Sequence, residues 1–191
     1  MRWGVAIMLA GCSFRHGSAP ASDATHDGPP DVAIDARIDA PPDAATCPST
    51  LLACPGGTAT MLVCNNACWA SCTAQGAEPT AAAACTAWGG RLAPLQTQAD
   101  QDCVQLTVLP GHASWIGFEQ AAGATTLTSG WSWNSDGITP SFTNWGGGQP
   151  NDLDGIEDGQ EQCAYMSTPS GTWQDQGCGL LFFNFSCRYG S

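Results

Sequence analysis

From Cys47 onward the chain alternates short apolar or aromatic runs with breaks rich in Gly, Asn and Pro, whereas residues 13 to 46 carry no pattern that would pack a core. That earlier stretch holds five prolines, six aspartates and eight alanines, with Phe14 as its only aromatic residue. Its composition predicts an extended, self-repelling tether. Between Cys47 and Cys72 five cysteines are interleaved with apolar residues and glycines, and we read a hairpin stapled by disulfides. A first helix is predicted from about Pro79 through the alanine run to Trp88, with Pro79 in its first turn and Gly89-Gly90 ending it. A second begins after Thr97, whose hydroxyl suits an N-cap while Asp100 sits in the first turn. Beyond Pro110 the texture changes to short aromatic runs broken by Gly, Asn and Pro, which predicts short strands and long ordered loops. Helices followed by strands give an α+β domain spanning residues 47–191.

Charge narrows the partners. Acidic residues outnumber basic ones by 17 to 5, and after residue 46 only Arg91 and Arg188 carry fixed positive charge. Such a surface repels phosphate, so nucleic acid is excluded as a partner. Asp152, Asp154, Glu157, Asp158, Glu161 and Asp175 crowd into one stretch, whose self-repulsion solvent or a bound cation would offset. Eleven cysteines in so short a chain indicate an oxidising compartment and a disulfide framework. The spacing of four between Cys64, Cys68 and Cys72 suits a zinc cluster on a helix face, but zinc needs thiolates and export favours their oxidation.

The extreme N-terminus supplies a route of export. Met1 and Arg2 precede an apolar run from Trp3 to Ala10, followed by Leu9-Ala10-Gly11-Cys12 across its end. That tetrad resembles the lipobox of bacterial lipoproteins, which implies a signal peptide over residues 1–11 and an acylated Cys12 opening the 12–46 linker. The expected location is the cell envelope, at the outer membrane or cell surface, with lipid as the only membrane anchor. Ten cysteines then remain, as five bridges require.

Several motifs agree in order and spacing with the C-type lectin-like domains, from roughly Cys64 to Arg188. Ala83 to Ala93 looks like that family's first helix and its exit. Trp115-Ile116-Gly117-Phe118 resembles its central strand, and Trp131-Ser132-Trp133, Asp136-Gly137 and Asn144-Trp145 resemble the entry to its long loop. Gln149-Pro150-Asn151-Asp152, Glu161-Gln162-Cys163, Trp173-Gln174-Asp175, Cys178 and Cys187 complete the pattern. The resemblance implies two helices flanking a small, mostly antiparallel sheet with a long ordered loop. It also implies disulfides Cys85 to Cys187 and Cys163 to Cys178. In the chain-entropy description the first would contribute roughly 4 to 5 kcal/mol and the second roughly 3. Cys47, Cys54, Cys64, Cys68, Cys72 and Cys103 admit fifteen pairings, and Cys103 is expected to tie the second helix to the N-terminal hairpin.

The same resemblance implies a calcium site formed by Gln149, Asn151, Glu161, Gln174 and Asp175, with Pro150 in the cis form. Calcium takes roughly six to eight oxygen ligands, and carboxylates and amide carbonyls supply them. The same side chains would hydrogen-bond paired hydroxyls of a sugar. Gln174 stands where the family has asparagine, and its extra methylene displaces the amide oxygen unless the backbone compensates. Gln149-Pro150-Asn151 mixes the family's mannose-type and galactose-type motifs, so the sugar class stays open. Asp154, Glu157 and Asp158 form either an additional site or a solvated loop. Asp152 is a candidate for a second ion, although matching ligands around Glu119 are lacking. In the alternative reading the domain keeps the fold without metal, Trp173 packs in the core, Asp175 caps a turn, and the module binds a protein partner or acts as a surface scaffold. Trp115, Trp131, Trp133, Trp145 and Trp173 are expected in the core rather than stacked on sugars.

Catalysis finds little support. His112 follows Pro110-Gly111 in a loop without a neighbouring nucleophile, and Asp154 and Glu157 lie in a Gly-rich loop without an apolar pocket to raise either pKa. No zinc-protease, nucleophile-elbow or phosphate-loop motif is present. The expectation is a binding module, not an enzyme, whose ligand is a glycan or polysaccharide held with calcium.

Overall fold

The structure, a computed structural model, describes residues 46–134, 136–137, 139–180 and 183–190. The signal segment 1–11, Cys12 and the tether up to residue 45 lie outside the described residues. The described chain opens with a segment leading into strands β1 (Ala59–Cys64) and β2 (Ala67–Gly76), antiparallel partners joined through Asn65 and Asn66. Both asparagines have positive φ, 50° and 53°, as a two-residue hairpin turn requires and as asparagine tolerates best among residues with a side chain. The predicted hairpin is therefore present, and disulfides Cys47–Cys68 and Cys54–Cys72 staple the preceding segment to β2.

Helix α1 (Glu78–Ala87) follows, with Pro79 in its first turn and Trp88 as C-cap. Gly89, at φ +92°, reverses the chain into β3 (Gly90–Leu92), and a Cβ on Gly90 would run into the Arg188 carbonyl of the last strand. Helix α2 (Gln98–Thr107) is capped as expected, the Thr97 hydroxyl accepting the Asp100 N–H at 3.1 Å. Then come β4 (Ala113–Gln120), β5 (Trp131–Trp133), β6 (Cys163–Ser167), β7 (Trp173–Gln176) and β8 (Phe183–Tyr189).

The strands form one sheet in the order β1-β2-β8-β4-β6-β7, with β3 added to β8 and β5 to β4. Among the described strands only β4 and β8 pair in parallel; the other strand pairs are antiparallel. The N-terminal hairpin is thus part of the sheet, so strands precede the helices as well as follow them. Alternation along β4 sends Trp115 into a core with Ala81 and Cys85 of α1, and Ile116 into a second core with Cys103 and Val104 of α2. The α+β architecture, two helices flanking a mostly antiparallel sheet, stands as expected. So do the disulfides Cys85–Cys187, from α1 to β8, and Cys163–Cys178; Cys64–Cys103 ties the hairpin to α2. Trp115, Trp131, Trp133 and Trp173 are buried and Trp145 is half-buried, while Phe185 is buried on β8. His112 is exposed.

Candidate ligand-binding site

The site lies where the long loop returns to β7. Trp145 forms a parallel bridge with Trp173, and the N–H of Gly146 donates to the Trp173 carbonyl at 2.8 Å. This fixes the start of a segment in which the Gln149–Pro150 peptide is cis. Just beyond it, the N–H groups of Asn151 and Asp152 both donate to Oδ2 of Asp175 at 2.8 Å, and that of Asn151 also reaches Oδ1 at 3.0 Å. Asp175 is buried because alternation along β7 places it on the same side as Trp173. Opposite, the N–H of Leu153 donates to Oε2 of Glu161 at 2.8 Å.

Asp152 organises the rest of the loop. Its side chain is 2% exposed, and it accepts N–H bonds from Asp158 (2.7 Å), Gly159 (3.0 Å) and Glu161 (2.6 Å). Desolvation favours its neutral form, yet the amides of Asp158, Glu161, Gly159 and Gln160 together outweigh burial and hold the pKa below the usual aspartate value. Glu161 behaves oppositely. Burial, then the charges of Asp175 and Asp152, raise its pKa above the ordinary glutamate value despite the Leu153 N–H. Tyr165, whose pKa is raised by burial and then by Glu161 and Asp175, lies within the same field.

Gln149, Asn151, Glu161 and Asp175 are therefore brought to one loop. Gln174 points elsewhere: it pairs with Tyr165 in the sheet register, its Oε1 accepts the Tyr165 hydroxyl at 2.9 Å, and its amide nitrogen reaches Ser167. Among the described residues no three His, Cys, Asp or Glu side chains are gathered as a metal cage. The donors present nevertheless suit a hard cation. Oε1 of Gln149 is buried and accepts no hydrogen bond, and each carboxylate oxygen that takes one amide keeps capacity for another partner. Asp154, Glu157 and Asp158 do not assemble a separate site. Their carboxylates accept from the Ile156 N–H, from the Gln120 amide and from the Gln160 amide respectively.

Sequence reasoning underrated two residues. Asp152 is the hub of the loop's hydrogen bonds, a role its place directly after Gln-Pro-Asn hints at. Gln120, 7% exposed, donates from Nε2 to Glu157 at 2.7 Å and lies within 3.4 Å of the carbonyls of Thr126, Leu127 and Ser129. Nothing in its sequence surroundings marks it.

A helix-flanked, disulfide-stapled sheet with a long loop folded around a cis proline and buried acids defines a lectin-like binding module. The family model for the lectin C-type domain matches residues 78–188, and the chain belongs to that family. The snake C-type lectin lectoxin-Lio3 of Erythrolamprus poecilogyrus is 33% identical over 101 residues, covering 52% of this chain and 58% of the relative. The chain spans about half the length of the curated relatives it matches. Among solved structures, the human scavenger receptor C-type lectin carbohydrate-recognition domain superposes with a TM-score of 0.60 at 22% identity, covering 73% of this chain and 100% of that one. The cow CD23 carbohydrate-recognition domain, solved in the presence of a GlcNAc2Man3 oligosaccharide, gives a TM-score of 0.55 at 25% identity, covering 73% and 97%.

Proposed function

We propose that this chain is a carbohydrate-binding module displayed on the cell envelope through a lipid on Cys12, and that its glycan site is the Gln149–Asp175 loop used together with calcium. The observation that carries the reading is the buried, unpartnered Oε1 of Gln149 beside Asn151, with Glu161 and Asp175 holding the adjoining backbone. When bound there, calcium would supply positive charge and open positions for a pair of sugar hydroxyls. The residues do the remainder. Asp175 and Glu161 hold the amides of Asn151, Asp152 and Leu153, which keeps the side chains of Gln149 and Asn151 at the same turn. Gln174 joins this set only by releasing Tyr165. The cow CD23 domain, solved with an oligosaccharide, supports a glycan as the ligand class.

A second reading has its own observation. The carboxylates of Asp152, Glu161 and Asp175 are all engaged by backbone N–H groups, an arrangement that can hold the loop without a cation, and it suits a metal-independent module for a protein partner. Thermal unfolding of the oxidised chain in calcium and in chelator separates the two. A ligand at a hundred times its dissociation constant adds about 2.7 kcal/mol of stability. The first reading therefore expects a higher midpoint in calcium, together with glycan-array binding that chelator and Glu161→Gln both abolish. An unchanged midpoint at millimolar calcium would reject it in favour of the second. Because Glu161 must ionise to serve a cation and its pKa is raised, calcium affinity should fall at a milder acidity than an ordinary glutamate would give.

A further inference from the structure

A cleft lies apart from the Gln149–Asp175 loop. It encloses about 730 Å³ between the 128–132 stretch and Gly137, Thr139, Pro140, Thr143 and Trp145, within the range of small-ligand sites. Its apolar wall is the cluster of Phe118, Trp131 and Trp145, with ring centroids 4.8 Å apart for the two tryptophans and 5.4 and 5.6 Å from Phe118 to each. Phe118 and Trp131 are almost wholly covered, so the half-buried Trp145 offers the accessible ring face. The rest of the wall carries hydroxyls, including the exposed Thr128, Thr139 and Thr143, and none of the lining side chains is titratable. In a chain of net charge −12, an uncharged cleft with an aromatic wall and a hydroxyl rim is a departure from the surrounding surface.

A second observation points to a ligand. Thr139 and Pro140 separate this cleft from an adjoining one of about 290 Å³ that Trp133 helps to wall. Trp133 is 3% exposed, and its indole N–H is buried without an acceptor. Trp69, Trp88, Trp115, Trp131 and Trp173 all donate their indole N–H to an oxygen. Leaving such a donor unmet carries a real free-energy cost, so an acceptor brought by a ligand is favoured there. Asp136, in the same adjoining cleft, disfavours an anion.

We propose that the paired clefts form a second binding site, independent of calcium, for an uncharged saccharide. One ring would lie against Trp145 and a ring or hydroxyl oxygen would accept from Trp133. Aromatic faces suit the apolar side of a sugar ring, and hydroxyl-bearing walls suit its edges. Trp145 bridges Trp173 and its segment leads directly to Gln149, so the cleft and the loop proposed above share one stretch of chain. The second site does not rest on the calcium reading, and each can fail alone.

The test is 15N–1H NMR of the tryptophan indoles in the oxidised full chain, titrated with neutral trisaccharides of glucose, mannose, galactose and N-acetylglucosamine, and with a trigalacturonate control. The indole signals of Trp133 and Trp145 should move with at least one neutral saccharide, equally in calcium and in chelator. Glu161→Gln should keep those shifts. Thr143→Tyr, a change at an exposed rim position that fills the cleft, should abolish them while the remaining spectrum stays dispersed. Absence of any shift, a shift seen only with calcium and lost in Glu161→Gln, or a stronger response to the charged control would each overturn the proposal.

Discussion

Glu78 starts α1, one residue ahead of the Pro79 from which the sequence predicts the helix, where an acid favours the helix dipole. The fold leaves it 5% exposed, with Oε1 buried and unpartnered. Burial, and then the charge of Glu119, raise its pKa to about 7. In the unfolded chain the group loses its proton near the ordinary glutamate value, whereas the folded chain retains it up to about pH 7. Stability from this residue is therefore present below the unfolded pKa, falls as pH rises through that window, and is constant above it. Glu78→Gln should remove the slope: its melting midpoint should gain on the parent between about pH 5 and about pH 8, read by calorimetry across that range. A constant difference at all pH values would place the ionisation elsewhere. Single residues were legible where a local rule governs them, as with the Thr97 cap and the cysteine parity, or where the family resemblance implies them, as with the cis Pro150. Glu78 and Gln120 were not, because their surroundings come from strands distant in the chain.

At the level of elements, α1 and α2 could be placed from sequence because Pro79, Gly89 and Thr97 act on their own neighbours. The pairing of β2 with β8, and of Tyr165 with Gln174, could not, since it depends on a register that no local pattern encodes. Alternation along β7, rather than register, decides the candidate site: it turns Gln174 away from the side of the strand on which Asp175 lies. The buried hydroxyls of Ser71, Thr107, Ser114 and Ser186, linked at 2.6 to 2.8 Å across β2, α2, β4 and β8, were equally hidden. Within the long loop the controlling residue is Asp152, and Asp152→Asn keeps one acceptor while removing the charge that strengthens three amide bonds. Hydrogen exchange at Asp158, Gly159 and Glu161 should accelerate by roughly ten- to a hundredfold, corresponding to about 1.5 to 3 kcal/mol for bonds to a charged group. Exchange in β4 and β8 should stay unchanged, because Cys163–Cys178 still closes the loop's far end. Equal acceleration in the strands would mean that Asp152 supports the whole domain.

For the whole molecule, lectin-fold membership was legible because its motifs are spaced along most of residues 78–188. The proposed attachment is a separate property and rests on Cys12 alone. Radiolabelled palmitate fed to a bacterial host able to process lipoproteins should be incorporated into the chain and lost in Cys12→Ser; retention of label in that variant would discard the anchor. Three of the five disulfides together add something that no single pair supplies. From Cys47 a covalent path crosses to Cys68, follows β2 and α1 to Cys85, crosses to Cys187, runs back along β8 to Cys178 and crosses to Cys163, beside Glu161. It bypasses everything between Cys85 and Cys163, including α2, β4 and the aromatic cleft. Under tension between the N-terminal side of Cys47 and a ligand gripped by Glu161, the load would travel along this short cut, and the bypassed residues would be spared from unravelling. The bridges thus make the domain a mechanical link whose maximum extension is far shorter than its length in residues.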